Sequence, residues 1–215
     1  KISCTFILLL FSIVTFSQEE KYSFDYMLEV ETLFKGKKNQ QFYLINSKDN
    51  SYRVIFKSID SLNYGVTLTS YDKFIYDVIF LKKKFDENNS YLIDSKYRML
   101  TKNLNKNKTK KYDFYLLQDT IINNESYYHY VLKSNNLKRE KRKKIGRKYY
   151  VVSKKFMEVL PIFTYNIALE EWKTNKINIP NGIFKETYLT TSKGVVDIKR
   201  KVVAIKKVTK TFLIK

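Results

Sequence analysis

Cysteine and histidine occur once each in this 215-residue chain, at Cys4 and His129, and proline only twice. A single cysteine excludes an internal disulfide, and one of each residue leaves no Cys-pair or His-pair metal motif. The five glycines are scattered, so no glycine-rich phosphate loop is present. No serine stands in a G-x-S-x-G elbow, and there is no Asp-x-Asp-x-Asp-Gly calcium loop. The paired acids Asp86/Glu87 and Glu170/Glu171 read as solvated neighbours, not as carboxylates facing across a cleft. These absences predict no catalytic set, no metal site and no cofactor, hence a protein that is not an enzyme.

Acid is also scarce, with 21 Asp and Glu against 41 Lys and Arg and a formal net charge of +20. Such a charge suits a polyanion partner, either nucleic acid or an anionic surface. Yet only six of the 41 bases are arginine, the residue whose planar fork grips phosphate. Alanine, with G/C-rich codons, occurs twice, while Lys, Asn, Ile, Tyr and Phe, with A/T-rich codons, abound. A composition bias therefore accounts for much of the charge.

The one long apolar run is short by membrane standards. Residues 6–14 are nearly all apolar, and Thr15-Phe16-Ser17 places small residues at the −3 and −1 positions of a cut before Gln18. This pattern predicts a cleavable signal peptide over 1–17 and a single mature domain over 18–215. Cys4 precedes the apolar run and so is misplaced for lipid attachment. No later stretch is long and uncharged enough for a transmembrane helix. The expected location is exported: periplasmic, outer-membrane-associated or secreted. Export in turn disfavours nucleic acid as a partner.

Alternation of apolar and polar residues is the main structural signal. Tyr22, Phe24, Tyr26, Leu28 and Val30 alternate with polar residues over 22–32, predicting a strand with one wet face. Further strands are expected at 41–45, 52–57, 63–69, 74–81, 91–93, 97–100, 112–118, 127–133, 148–153, 183–190, 195–199 and 202–214. The run over 74–81 is continuously apolar, as a central strand would be. A polar loop covers 103–111, and 86–89 reads as a turn. Apolar residues recur at three and four over 163–173, predicting the one helix. The fold class is mostly β: a single curved antiparallel sheet or half-barrel with one short helix.

Two constellations are candidate sites. The run over 138–148 holds eight bases in eleven residues: Lys138, Arg139, Lys141, Arg142, Lys143, Lys144, Arg147 and Lys148. It contains half the arginines, so it is either a polyanion contact or a solvated loop between strands. Aromatic strand faces normally pack a core. A concave one can instead hold a lipid or other apolar ligand, and Tyr128, Tyr130, Phe163 and Trp172 are the candidates for that role. His129 is expected on the outer face beside Tyr127, as a surface strand histidine.

The segment Phe16-Ser17-Gln18, the 112–133 hairpin with Asp119-Thr120-Ile121-Ile122-Asn123, and the motifs Tyr149-Tyr150-Val151-Val152, Leu160-Pro161 and Ile179-Pro180-Asn181-Gly182-Ile183 follow one another in an order with a likeness elsewhere. The chain resembles exported Bacteroidota proteins of the GLPGLI type, without the Gly-Leu-Pro-Gly-Leu-Ile motif itself. It resembles LolA-like lipoprotein carriers more distantly. The resemblance implies a curved sheet with a short helix near its open face, where the carriers bind acyl chains. The functional expectation is an envelope protein binding an apolar or amphiphilic ligand, or a protein partner, on the concave face, with 163–172 as lid or plug. The alternatives are a polyanion-contacting surface protein, of the lipopolysaccharide-binding kind, and a small outer-membrane β-barrel.

Overall fold

The computed structural model describes residues 19–71, 73–101, 106–174, 177 and 179–215. The signal peptide expected over 1–17, with Cys4, and the start of the 103–111 loop lie outside them.

In chain order the elements are β1 (Glu20–Phe34), β2 (Lys37–Ile45), β3 (Tyr52–Ser58), β4 (Asn63–Ser70), β5 (Phe74–Leu81), α1 (Lys82–Glu87), β6 (Ser90–Ile93), β7 (Arg98–Leu100), β8 (Tyr112–Leu116), β9 (Thr120–Ile122), β10 (Glu125–Ser134), α2 (Leu137–Arg142), β11 (Arg147–Ser153), α3 (Asn166–Lys173), β12 (Phe184–Thr190) and β13 (Val196–Ile214). They form one open sheet in the order β7-β5-β4-β3-β2-β1-β13-β12-β11-β10-β8. All neighbours on this path are antiparallel; β9 flanks β10, and β6 runs parallel to the end of β13. The expected curved antiparallel sheet is therefore present. The barrel alternative is not, because β7 and β8 end the path without pairing to each other. Lipid tolerates no such open strand edge.

Several boundaries differ from the sequence reading, each for a local reason. Lys35 and Gly36 both take positive φ, 48° and 77°, and make a two-residue turn. So β2 starts at Lys37, where the sequence suggested a longer turn. Residues 86–89 are not simply a turn, since Lys82–Glu87 is helical and drives Phe85 into the core. The strands expected at 195–199 and 202–214 are one 19-residue strand, whose register shifts against β1 and β12 bend it without breaking it. β5 is not central. It lies one strand from the edge, and its apolar run leaves Ile79 at 68% exposure. The helix begins at Asn166, after a bend at Thr164 and Tyr165.

The sheet is packed on both faces. Successive strand residues point to opposite sides, and in β2 Leu44 joins one hydrophobic cluster while Tyr43 and Ile45 join another. The first cluster, with Phe56, Phe74, Phe85, Tyr91 and Phe212, is wrapped by β1–β5 and capped by α1 and β6. On the other face, the chain between β11 and β12 crosses the sheet and covers Tyr150, Phe184, Leu28 and Val30. That crossing creates the candidate site.

Candidate ligand cavity under a strap

Residues 158–164 form a strap across this second face of the sheet. Its backbone is tied to the β2–β3 side of the sheet. The Leu160 N–H donates to the Ser47 carbonyl (2.8 Å), and Asn50 Nδ2 donates to the Pro161 carbonyl (2.9 Å). Arg53 Nη1 donates to the Phe163 carbonyl (3.1 Å). A non-regular segment buried this way must find partners for its peptide groups, and here side chains supply two of them. At the far end the Gly182 N–H donates to the Val159 carbonyl (2.8 Å). Gly182 has φ +145°, and a Cβ there would lie 2.8 Å from the Ser153 carbonyl oxygen. Only glycine fits this return to β12.

Beneath the strap lies an apolar cavity of about 40 Å³, walled by Leu28, Val30, Tyr43 and Ile45 of the sheet and by Leu160 and Ile162 of the strap. That is room for waters, not for an acyl chain. A second, larger space of about 310 Å³ adjoins it and shares Thr164 and Arg200 as walls. Lys148, Tyr112, Tyr165, Leu189 and Ile198 also line this second space. Gly146 sets its rim, because a Cβ there would sit 2.1 Å from the Thr190 carbonyl, so the missing side chain lets β11 start hard against β12.

The strapped face carries cations. Arg53 is buried, with its guanidinium 4.7 Å from the centre of the Tyr71 ring and bonded to the Tyr71 hydroxyl. Burial pushes its pKa down to about 10, so it stays charged at neutral pH. Burial, with the repulsion of Arg200, pushes Lys148 down to about 8.

The four aromatic candidates do come together. Phe163 and Tyr130 are buried in one cluster, with Tyr128 and Trp172 packed against it. Phe163 is fully enclosed by Phe114, Tyr150, Phe184 and Trp172. Trp172 is pinned by its Nε1, which donates to the Ile179 carbonyl (3.4 Å). None of the four lines either space; they form the packed wall beside them.

The basic run divides. Arg147 pairs with Glu140 (2.6 Å), Arg139 stacks on Tyr112 and donates to Ser134 Oγ (2.9 Å), and Lys148 points inward. Lys138, Lys141, Arg142, Lys143 and Lys144 are exposed on α2 and the turn after it. His129 is not a free surface histidine. It is half-buried, with Nε2 3.0 Å from the hydroxyl of Tyr188, which stacks on Tyr149 at 4.5 Å. Burial holds its imidazole below the ordinary range. Glu171 is likewise buried rather than solvated. Sequence reasoning missed Arg53, which alternates with apolar residues as on a wet strand face, and Arg200, which falls between two expected strands. The available signal was their being arginines in a chain that otherwise uses lysine.

No family model matches the chain, and no curated protein matches it. Among solved structures, an uncharacterized conserved protein from Thermus thermophilus is 10% identical with TM-score 0.46, covering 86% of this chain and 79% of that one. The Pseudomonas aeruginosa MucA/MucB complex gives 6% identity and TM-score 0.47, covering 90% of this chain but 53% of that one. A LolA superfamily protein from Nitrosomonas europaea gives 12% identity and TM-score 0.29, covering 94% and 92%.

Proposed function

We propose that this is an exported, non-enzymatic cell-envelope protein that binds an apolar or amphiphilic ligand on the concave face of its sheet. The observation that carries the reading is the apolar cavity between that face and the strap over residues 158–164. The strap is held by a few side-chain and turn hydrogen bonds, not by a strand ladder. Lifting it merges the small cavity with the larger space beside it and makes room for one chain. Tyr128, Tyr130, Phe163 and Trp172, packed beside these spaces, back the wall that the chain meets. Mass spectrometry of an organic extract of the purified protein tests the reading. Co-purifying acyl compounds are expected; an empty extract, with no uptake of an added amphiphile, overturns it.

A second reading rests on the five exposed bases of α2 and its following turn. Glu140, the one acid in the run, is already taken by Arg147. This face contacts a polyanion. Binding to anionic vesicles is then expected to fall steeply with salt. Neutralising Lys138, Lys141, Arg142, Lys143 and Lys144 abolishes it, whereas binding unchanged in that variant removes the reading.

A further inference from the structure

We propose that Lys148 and Arg200 form a receptor for the acidic head of a single-chain amphiphile whose tail lies under the strap; this rests on the concave-face reading above and specifies its ligand.

The two residues flank β12 on its concave side. Leu189 stands opposite Lys148, and Thr187 opposite Arg200. Two strand spacings across and two residues along separate their backbones by roughly 12 Å, a span that a long lysine and a long arginine narrow from either side. Both line the 310 Å³ space, whose other walls include Leu132, Leu189, Ile198 and Ile145 but no acid. Lys148 is 7% exposed; its ammonium pairs with no described acid or carbonyl and, unlike the fully enclosed unpartnered atoms below, keeps an edge open to this space. The nearby acids are engaged elsewhere, Glu140 by Arg147 and Glu186 by Lys199.

Three further polar atoms near Arg200 are buried without a partner among the described residues: Arg200 Nε itself, Tyr150 Oη and Thr32 Oγ1. Thr32 is the cross-strand neighbour of Arg200 on β1, and Thr187, opposite Arg200 on its other side, is also opposite Tyr150. Buried cations without acceptors are costly, and buried polar groups are normally paired. A carboxylate or phosphate between Lys148 and Arg200 meets that demand. The geometry also orients the ligand, because Arg200 walls both spaces, so a head held there sends its chain toward Leu28, Val30 and Ile162.

The test is calorimetric titration of the full mature protein with dodecanoate, dodecyl phosphate and 1-dodecanol, each below its micellar concentration. One of the two acids is expected to bind about tenfold or more tightly than the alcohol, the scale of a hydrogen bond to a charged group. Preference for dodecyl phosphate or for dodecanoate identifies the head as phosphate or carboxylate, and either supports the proposal. Lys148→Met and Arg200→Gln are each expected to remove that advantage and leave dodecanol binding unchanged. Lys148→Met keeps the volume, is expected to fold at least as stably as the parent, and decides the matter if Arg200→Gln fails to fold. Equal binding of acids and alcohol, unaltered by Lys148→Met, overturns the head site while the cavity reading stands. No binding of any of the three overturns both.

Discussion

Two buried lysines divide the molecule. Lys210, in the half of the sheet around β1–β6, is 9% exposed and fully met. Its ammonium donates to the carbonyls of Phe85 (2.9 Å) and Asn88 (2.8 Å) and to the Tyr91 hydroxyl (2.5 Å), and it lies 5.1 Å from the Phe85 and Tyr91 ring centres. Lys148, under the strap, is just as buried and has none of this. Around Lys210 the aromatic rings close on one another, with Phe85 4.6 Å from Phe56 and stacked on Tyr91 at 4.8 Å. Around Lys148 there is open space. The first half shows that this chain can satisfy a buried ammonium completely, so the second half is not simply poor packing. A satisfied buried charge is architecture, and an unsatisfied one beside a cavity is a site.

Four substitutions break or sharpen this contrast. The largest effect is expected for Phe85→Ala, which empties the middle of the aromatic cluster and costs about 3–5 kcal/mol in urea unfolding. Next is Lys210→Met. It takes the charged donor from the Phe85 and Asn88 carbonyls, leaving them to share the single Tyr91 hydroxyl proton, and costs about 1–3 kcal/mol by the same measurement; a neutral result would erase the distinction between the two lysines. Asn50→Ala leaves the Pro161 carbonyl without its donor, at about 1 kcal/mol. It is also expected to speed amide exchange in the strap over 158–164 while leaving β1–β5 untouched.

The smallest effect, and opposite in sign, belongs to Lys148→Met, expected to be neutral or stabilising. The pH dependence carries the diagnosis. The folded pKa of Lys148, about 8, lies below the ordinary lysine value of 10.5. Above about pH 8 the unfolded chain thus binds more protons than the folded one, and parent stability rises with pH. Tyr112, Tyr165 and Arg200 line the same space. The rise holds until near pH 10, where phenols held up by burial, such as Tyr150 and Tyr165, begin to oppose it. The Lys148→Met curve is expected to rise less steeply, the remainder coming from Lys210, which burial also holds below the ordinary lysine value; an identical slope in both proteins removes the assignment.

Much of the fold was legible because alternation is a local property. Tyr22 to Val30 announces β1, and Tyr128, Tyr130 and Leu132 share a face as their spacing requires. The site was less legible because burial of a sheet's second face is not local. Arg53 alternates with Tyr52 and Val54 just as a solvent-facing residue would; only the strap, arriving from 110 residues away, encloses it. Lys148 was hidden differently, at the end of a basic run whose other members mostly face water. The sequence reads the strand at 196–214 as two because the charged pair Arg200 and Lys201 interrupts the apolar pattern, whereas pairing to β1 and β12 on either side holds it extended.

That pairing has a consequence for how the protein is made. β1, the first described strand, is zipped to β13, the last, from Glu20 against Ile214 to Phe34 against Ile198. β13 also supplies Phe212 to one hydrophobic cluster and Val202 to another. The β1–β5 and β8–β12 strands pair with sequence neighbours, but the two halves are joined to each other only once β13 is placed between β1 and β12. Such long-range closure is intrinsically slow.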